Sequence, residues 1–244
     1  MTPLPLKSPS RPSFDLENSF LARGLNPIGV DEVGRGCLAG PVVAAAVMFP
    51  NQGSLKQIDQ LSPFDLHTRS KSSLNHWWAP IKDSKLLSAK VRERLDQEIR
   101  RHCLFQIAWC SPQEIDQMNI LRASLEAMRR CLWPFRGLGQ AVLVDGHIDP
   151  YRENMGALPD AAHRLGFEEV LTVIKGDQKS VSIAAASIVA KVFRDHWMTD
   201  LHEIYPHYGF AKHKGYPTGE HQAALRSQGI SPIHRLSFSM GPKE

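Results

Sequence analysis

One stretch, GVDEVGRGCLAGPVVAAAV at residues 29–47, constrains the fold more than any other part of the chain. IGV leads into a Gly-rich turn, GRG, and PVVAAAVMF resumes as a β-rich apolar segment, so the stretch reads as a strand, a turn and a second strand. Asp31 and Glu32 therefore fall at a strand end. A carboxylate loses much of its hydration on burial unless something compensates it, and two adjacent ones interrupting an apolar run point to a cation.

Further along, strands alternate with helices. AKVRERLDQEIRRH after Ser88 has the charge density of a solvent-facing amphipathic helix, and LFQIAWC follows as a strand. Ser111, Pro112 and Glu114 form the N-terminal signature of the next helix: N-cap, proline in the first turn and capping box. Its apolar stripe runs through Ile120, Leu121, Leu125, Met128 and Leu132 until Pro134 stops it. QAVLVDG is a short buried strand ending in Asp145, and VLTVIKGD is another ending near Asp177. SVSIAAASIVAKVFRDHW is a helix whose Ala and Ser residues let its backbone approach a sheet closely. This alternation predicts an α/β layer structure. The tail carries turn residues, aromatics and Lys before one more short helix.

The 244 residues, 42% of them hydrophobic, suffice for one sizeable core. Residues 1–26 are rich in Pro and Ser and lack apolar periodicity, so a flexible N-terminal arm is expected there, with 27–244 as the folded domain. Residues 51–80 and 147–166 read as polar excursions. The four cysteines, Cys37, Cys103, Cys110 and Cys131, show neither zinc-ligand spacing nor a disulfide framework. No secretory signal or membrane-length apolar run is present, so a cytoplasmic protein without membrane attachment is expected. A net charge of +4 favours a polyanionic partner only weakly.

Asp31, Glu32, Asp145 and Asp177 share one property: each follows an apolar strand-like run beside a Gly-containing turn. Strand ends of α/β sheets commonly converge on a site, and converging acids repel unless a cation joins them. Hard oxygen ligands without His or Cys favour Mg²⁺ or Mn²⁺ over zinc, and two such ions ~4 Å apart suit phosphodiester hydrolysis. The competing reading is that Asp145 and Asp177 are turn residues capping their own backbone. Strand alternation also points Asp31 and Glu32 to opposite faces unless the strand is ending. Spacing alone leaves both readings open.

Six ordered motifs then bear on the question: VDEVGRGCLAGPVVAAAV, DSKLLS, EIDQMNILRASLEAM, LVDGH, KGDQKSVSIAAASIVAKVFRD and YGFAKHKGYPT…H, with the tail SPIHRLSF. From about Pro27 to its end the chain resembles bacterial ribonuclease HII. The resemblance implies a ribonuclease H-like fold, a mixed β-sheet flanked by helices with a C-terminal helical extension. It also implies metal-dependent cleavage of RNA in RNA–DNA hybrids and 5′ of single ribonucleotides embedded in duplex DNA, by two Mg²⁺ or Mn²⁺ ions, leaving 5′-phosphate and 3′-hydroxyl ends. The family's acids fall on Asp31, Glu32, Asp145 and Asp177. Its 2′-hydroxyl reader falls on Gly34, Arg35 and Gly36, where missing side chains expose backbone polar groups to a sugar. Tyr216 falls on the residue that packs against the sugar beyond the ribonucleotide, and Ser84, Lys85 and Lys191 are candidate phosphate contacts. A monomer is expected from the family.

Some features depart from that pattern or have rival explanations. Leu86 stands where the family usually has a second Lys. Trp77 and Trp78 either stack on bases or cover a core edge. Lys212 and Lys214 either meet phosphate or form a solvated face, and Asp195 pairs with Arg194 or a neighbouring base. His207, His213, His221 and His234 gather in the last forty residues without a zinc spacing. A ribonuclease HIII-type enzyme would carry an N-terminal substrate-binding domain, for which the Pro-rich arm offers no counterpart. A non-catalytic binding module would have lost an acid, and none is lost.

Overall fold

The computed structural model describes residues 11–50, 77–151 and 166–239. Among these, β1 (Pro27–Val33), β2 (Val42–Met48), β3 (Leu104–Cys110), β4 (Ala141–Asp145) and β5 (Glu169–Val173) form one sheet in the order β3-β2-β1-β4-β5. β1 and β2 pair antiparallel, as do β2 and β3, whereas β1, β4 and β5 run parallel. The sheet is therefore mixed, as expected. Both GRG-flanking segments are strands, and all of β2 is buried.

The buried β2 has a simple cause. Alternation sends Val42, Ala44, Ala46 and Met48 to one face, where they meet Ala123, Ala127 and Met128 of α4 (Ile120–Leu132). Val43, Ala45 and Val47 face the other way, toward Leu95 and Ile99 of α2 (Ala89–His102) and Ala185, Ile188 and Val189 of α5 (Val181–Ile204). Helices on both faces thus require an apolar residue at every position. The small residues of α5 let it lie close on β1, and a Cβ at Gly29 would stand only 2.2 Å from the Ser182 carbonyl carbon.

The capping box forms as read. The Ser111 hydroxyl accepts from the Glu114 amide at 3.2 Å while the Ser111 amide donates to Glu114 Oε2 at 2.7 Å, opening α3 (Pro112–Met118). The single helix expected from there to Pro134 is instead two. Asn119 adopts φ 68°, breaks the run, and caps α4 by accepting the Arg122 amide at 3.1 Å. With ψ 162° this backbone is extended and cannot continue the helix, so a polar residue inside an unbroken apolar stripe carried the signal.

Residues 11–26 depart from the expected flexible arm; residues 1–10 lie outside the described residues. Here α1 (Asp15–Leu21) packs Phe20 against Ala141, Leu143 and Ile183. Glu17, also buried, accepts from Ser180 Oγ at 2.6 Å, Ser182 N at 2.9 Å and Ser182 Oγ at 2.7 Å. A helix this short has little stability by itself, and these bonds to the start of α5 supply it. Trp77 and Trp78 cover a core edge, Trp77 stacking on Phe49 and His102 and Trp78 meeting Phe14 edge-on. The rest of the first excursion, 51–76, lies outside the described residues, as does 152–165 of the second.

Beyond α5, the short helix α6 (Phe210–His213) and α7 (Gly219–Gln228) gather around Tyr208, Phe210, Met198 and Leu225 together with Leu38 and Ala39. The final segment returns to the turn after β1, where Arg235 N donates to Leu38 O at 2.9 Å and Gly40 N to Ile233 O at 2.9 Å. This C-terminal module is thereby fastened beside the strand end that carries Asp31 and Glu32. Among the described residues, no helix is long and apolar enough to cross a membrane.

Candidate active site

Parallel register brings the first two acids together. β1 and β4 pair through Val30 and Val144, so Asp31 and Asp145 are the next residues on neighbouring strands pointing the same way. Strands in a sheet lie about 4.8 Å apart, which sets the scale of their approach. β5 stops at Val173, and Lys175 turns the chain at φ 54° into a 3₁₀ turn, Gly176–Gln178, that returns Asp177 to the same end. Gly176 N donates to Asp145 Oδ1 at 2.6 Å, and a Cβ at Gly176 would crowd both that oxygen and Ile183. Asp177 thus belongs to the turn after β5, slightly beyond the strand end read from sequence.

The electrostatics record the crowding. Burial first, then the charges of Glu32 and Asp145, push the Asp31 carboxyl well above its ordinary value, against the hydrogen bond from Ser187. Burial also raises Glu32, partly offset by Arg35, whose Nη1 lies 3.1 Å from Glu32 Oε1. Asp177 rises to about 6 through burial and the charges of Asp83 and Asp145, with Lys85 working in the opposite direction. Perturbed acids gathered at one end of a sheet mark a candidate functional site. Glu32, Arg35, Asp145, Gly146 and His147 line an open cleft of about 80 Å³ there, together with Ser124, Leu125 and Met128.

The carboxylates are the right kind of ligand for a hard divalent ion. Among the described residues, though, no three His, Cys, Asp or Glu side chains already stand close enough to enclose one. The bonds above explain this: Glu32 is turned toward Arg35, Asp145 is held by Gly176 N–H, and Asp31 Oδ1 accepts from the Glu32 amide at 2.7 Å. Ion binding has to compete with these contacts.

Several residues around this site fall differently from their sequence reading. Ser84 is buried rather than open to phosphate, its hydroxyl 3.0 Å from Ser187 Oγ, and Ser187 in turn bonds Asp31. Lys85 is exposed beside Asp177, and Leu86 is exposed next to it. Asp83 and Ser187 were missed by the sequence reading. Asp83 is buried, accepts the Lys85 amide at 2.9 Å and bears on Asp177, and its place at the head of DSK was the available signal.

The second group of candidates adjoins the first. Gly34 has φ 95°, and a Cβ there would meet Arg194 Nε at 2.3 Å, so its missing side chain makes room for a buried arginine rather than for a sugar. Nothing lies within 4 Å of a Cβ placed on Gly36, which leaves that side of the turn open. Arg35 is about half exposed. Tyr216 is 36% exposed, bonded to buried Cys37, with Lys191 Nζ 5.6 Å from its ring centre. Lys191 also pairs with Asp195 at 2.8 Å, and Arg92 approaches Asp195 at 3.9 Å, so a neighbouring base and not Arg194 is the partner of Asp195. Lys212 pairs with Glu220, while Lys214 Nζ donates to Thr199 Oγ1 at 2.5 Å.

The histidines of the tail form a closed neutral chain. Ser231 N–H donates to His234 Nδ1 at 2.9 Å, leaving the His234 proton on Nε2, which donates to His221 Nε2 at 3.0 Å. His221 Nδ1–H then donates to the Tyr216 carbonyl at 2.9 Å. His213 likewise accepts from Gly215 N–H and donates to the Tyr208 carbonyl at 2.6 Å. These bonds occupy both ring nitrogens of each, and His207 is exposed elsewhere, so the group is structural.

A mixed sheet sandwiched between helices, with acids delivered to one end by neighbouring parallel strands, defines a nuclease of the ribonuclease H class. Solved structures agree: ribonuclease HII in the PCNA complex from Archaeoglobus fulgidus aligns at a TM-score of 0.61 and 26% identity, covering 90% of this chain and 98% of that one. Ribonuclease H2 from Pyrococcus horikoshii OT3 aligns at 0.60 and 27%, covering 88% and 95%. The Mn²⁺ complex of Bst-RNase HIII shares the fold at 0.57 and 17%, covering 88% and 68%. The family model for Ribonuclease HII matches residues 28–65 and 74–240. The Ribonuclease HII of Bacteroides thetaiotaomicron is 40% identical over 222 residues, 91% of this chain and 93% of its own, and that of Paracidovorax citrulli 44% identical over 212, 86% and 73%. The chain belongs to the ribonuclease HII family and is a ribonuclease H-type endoribonuclease.

Proposed function

We propose that this endonuclease cleaves the RNA strand of RNA–DNA hybrids and cuts 5′ of single ribonucleotides embedded in duplex DNA, leaving 5′-phosphate and 3′-hydroxyl ends. The observation that supports the reading is the register that sets Asp31, near the end of β1, beside Asp145 at the end of β4, with Asp177 turned back to the same place. We assign Asp31, Glu32, Asp145 and Asp177 to Mg²⁺ or Mn²⁺, because burial and neighbouring carboxylates disfavour the charges of Asp31, Glu32 and Asp177, a cost that divalent charge relieves. When bound, such ions supply an activated water and neutralise charge on the departing 3′ oxygen.

The chain's own residues do the rest in this reading. Asp31 is held by Ser187 and by the Glu32 amide, so its carboxylate is oriented before any ion arrives. Arg35 pairs with Glu32 at 3.1 Å, so Glu32 would hold an ion only by exchanging this partner for it. The open side of the turn at Gly36 lets a ribose approach backbone polar groups, the chemistry that distinguishes a 2′-hydroxyl from hydrogen. Tyr216 offers a half-buried ring for the neighbouring sugar, and Lys85 and Lys191 offer positive charge to phosphates. The same reading takes the protein as a cytoplasmic monomer; its four free, buried cysteines suit a reducing compartment.

The test is a DNA duplex containing one ribonucleotide, incubated with Mg²⁺, with Mn²⁺ and with chelator. A single cut on the 5′ side of the ribonucleotide, dependent on metal, is expected. Equal cutting of an all-DNA duplex, or cutting in chelator, refutes the assignment.

A further inference from the structure

Two fully buried arginines lie beneath loop 34–41. Arg194, from α5, donates through Nε to Pro41 O at 2.8 Å, through Nη2 to Ala39 O at 3.1 Å and through Nη1 to Lys214 O at 2.8 Å. Arg235, from the final segment, donates to the carbonyls of Gly34 at 2.7 Å, Arg35 at 3.0 Å and Gly40 at 2.9 and 3.0 Å. All of these acceptors are main-chain oxygens. Among the described residues neither guanidinium has a carboxylate within salt-bridge distance, since Asp195 is engaged by Lys191 and Arg92. Burial, with the nearby Arg194 charge adding to it, pulls Arg235 down to about 10, which still leaves it charged at neutral pH.

The glycines of the motif are fitted to this pair. A Cβ at Gly34 would stand 2.3 Å from Arg194 Nε, one at Gly40 would stand 2.4 Å from Met198 Sδ and 3.3 Å from Arg194 Nη2, and one at Gly215 would stand 2.5 Å from Ala39 O. The loop is pressed onto Arg194 on one side and onto the Lys214–Gly215 turn on the other. Leu38 N donates to Gly215 O at 2.8 Å, closing the contact, and the next residue in the chain is Tyr216.

From this arrangement we infer that Arg194 is a positioning residue for substrate selectivity, fixing the distance and orientation between the residue 34–36 turn and the Tyr216 ring. Its planar fork ties the carbonyls of the loop to the carbonyl of Lys214, so the two sugar-reading elements, from distant parts of the chain, move as one body. With the loop carbonyls turned inward by both arginines, the outer side of the turn is left to amide donors. A rigid pair of readers discriminates best where the chemistry of consecutive sugars changes, as at an RNA-to-DNA junction, and matters least where every sugar carries a 2′-hydroxyl. Lys cannot replace the fork, because it is a point charge without fixed donor directions.

This inference rests on the function proposed above, and the experiment separates the two. Wild-type protein, Arg194→Lys and Gly215→Ala are compared on a duplex with one embedded ribonucleotide and on a continuous RNA–DNA hybrid, with folding checked by circular dichroism and Mn²⁺ binding by calorimetry. Gly215→Ala pushes the Tyr216 turn away from Ala39 while leaving both arginines in place. The expected result is a fall of about tenfold or more in the ratio of kcat/KM on the embedded ribonucleotide to that on the hybrid, in both variants, with Mn²⁺ affinity unchanged. A ratio unmoved in either folded variant, including equal losses on both substrates, overturns the inference. A wild-type protein inactive on both substrates defeats the proposed function itself.

Discussion

The acidic sheet end and the histidine-lined C-terminal module are adjacent, and they solve burial in opposite ways. At the sheet end, Asp31, Glu32 and Asp177 are pushed toward protonation by burial and by neighbouring carboxylates, against the charges of Arg35 and Lys85 and a few hydrogen bonds such as that from Ser187. In the module, burial lowers His213 and His221, and takes His234 to about 4, yet each ring is neutral with both nitrogens bonded. One region is left for a ligand to complete. The other is complete without one, as a frame holding substrate-facing groups requires.

The sharpest way to break this contrast is Asp31→Asn. Loss of one charged ligand removes several kcal/mol of transition-state stabilisation, so cleavage should fall about 10³-fold or more. The ion-free variant should nevertheless melt higher than wild type, because a repelling buried charge has gone. Divalent ion at a hundredfold excess over its Kd should stabilise wild type by about 2.7 kcal/mol and the variant far less. Residual activity near wild type, or a lower melting point without metal, would remove the sheet end from its side of the comparison.

A second prediction concerns acid. A histidine with a lowered folded pKa contributes stability that is full above its unfolded value, about 6.5, and is lost as pH falls toward the folded one. The module should therefore loosen between about pH 6.5 and pH 4, the lower limit set by His234. Hydrogen exchange at Tyr216 and Gln222 would report it. His234→Ala, which breaks the bonds to Ser231 and His221, should cost about 2 kcal/mol at pH 7.5 and flatten that acid dependence. An acid response identical in the variant would mean that other groups control it.

The smallest expected effect carries the opposite sign. Asp177 has a raised pKa, so its ionisation destabilises the ion-free fold above about pH 6 and has no effect below its unfolded value near 4. Asp177→Asn should thus stabilise the ion-free protein by about 1–2 kcal/mol at pH 7.5, with the gap closing as pH falls from 6 to 4. Denaturant melts at both pH values measure it. A constant gap would place the cause in packing rather than charge.

The acids were legible as candidates because each follows an apolar run near a Gly-containing turn, a local signal visible without knowing its neighbours, although only Asp145 ends its strand. The capping box at Ser111 was legible for the same local reason. Asn119 was not, since an apolar stripe can continue on both sides of a break. Nor was α1, whose stability comes from Glu17 bonding Ser180 and Ser182, more than 160 residues away. Nor does local sequence show that Ser84, a candidate phosphate contact, lies buried against Ser187, or that Gly34, a candidate sugar-facing residue, accommodates Arg194.

By itself, then, the sequence determined the five strands, most of the helices and the acids near strand ends, because hydrophobic period, caps and glycine act within a few residues. Only the tertiary structure decided that Asp31 and Asp145 lie side by side on adjacent strands, that Arg194 and Arg235 lie beneath the glycine turn, and that three histidines settle as neutral partners. Those outcomes depend on register, burial and distant neighbours, and the free energy of a buried charge is set by what surrounds it in space.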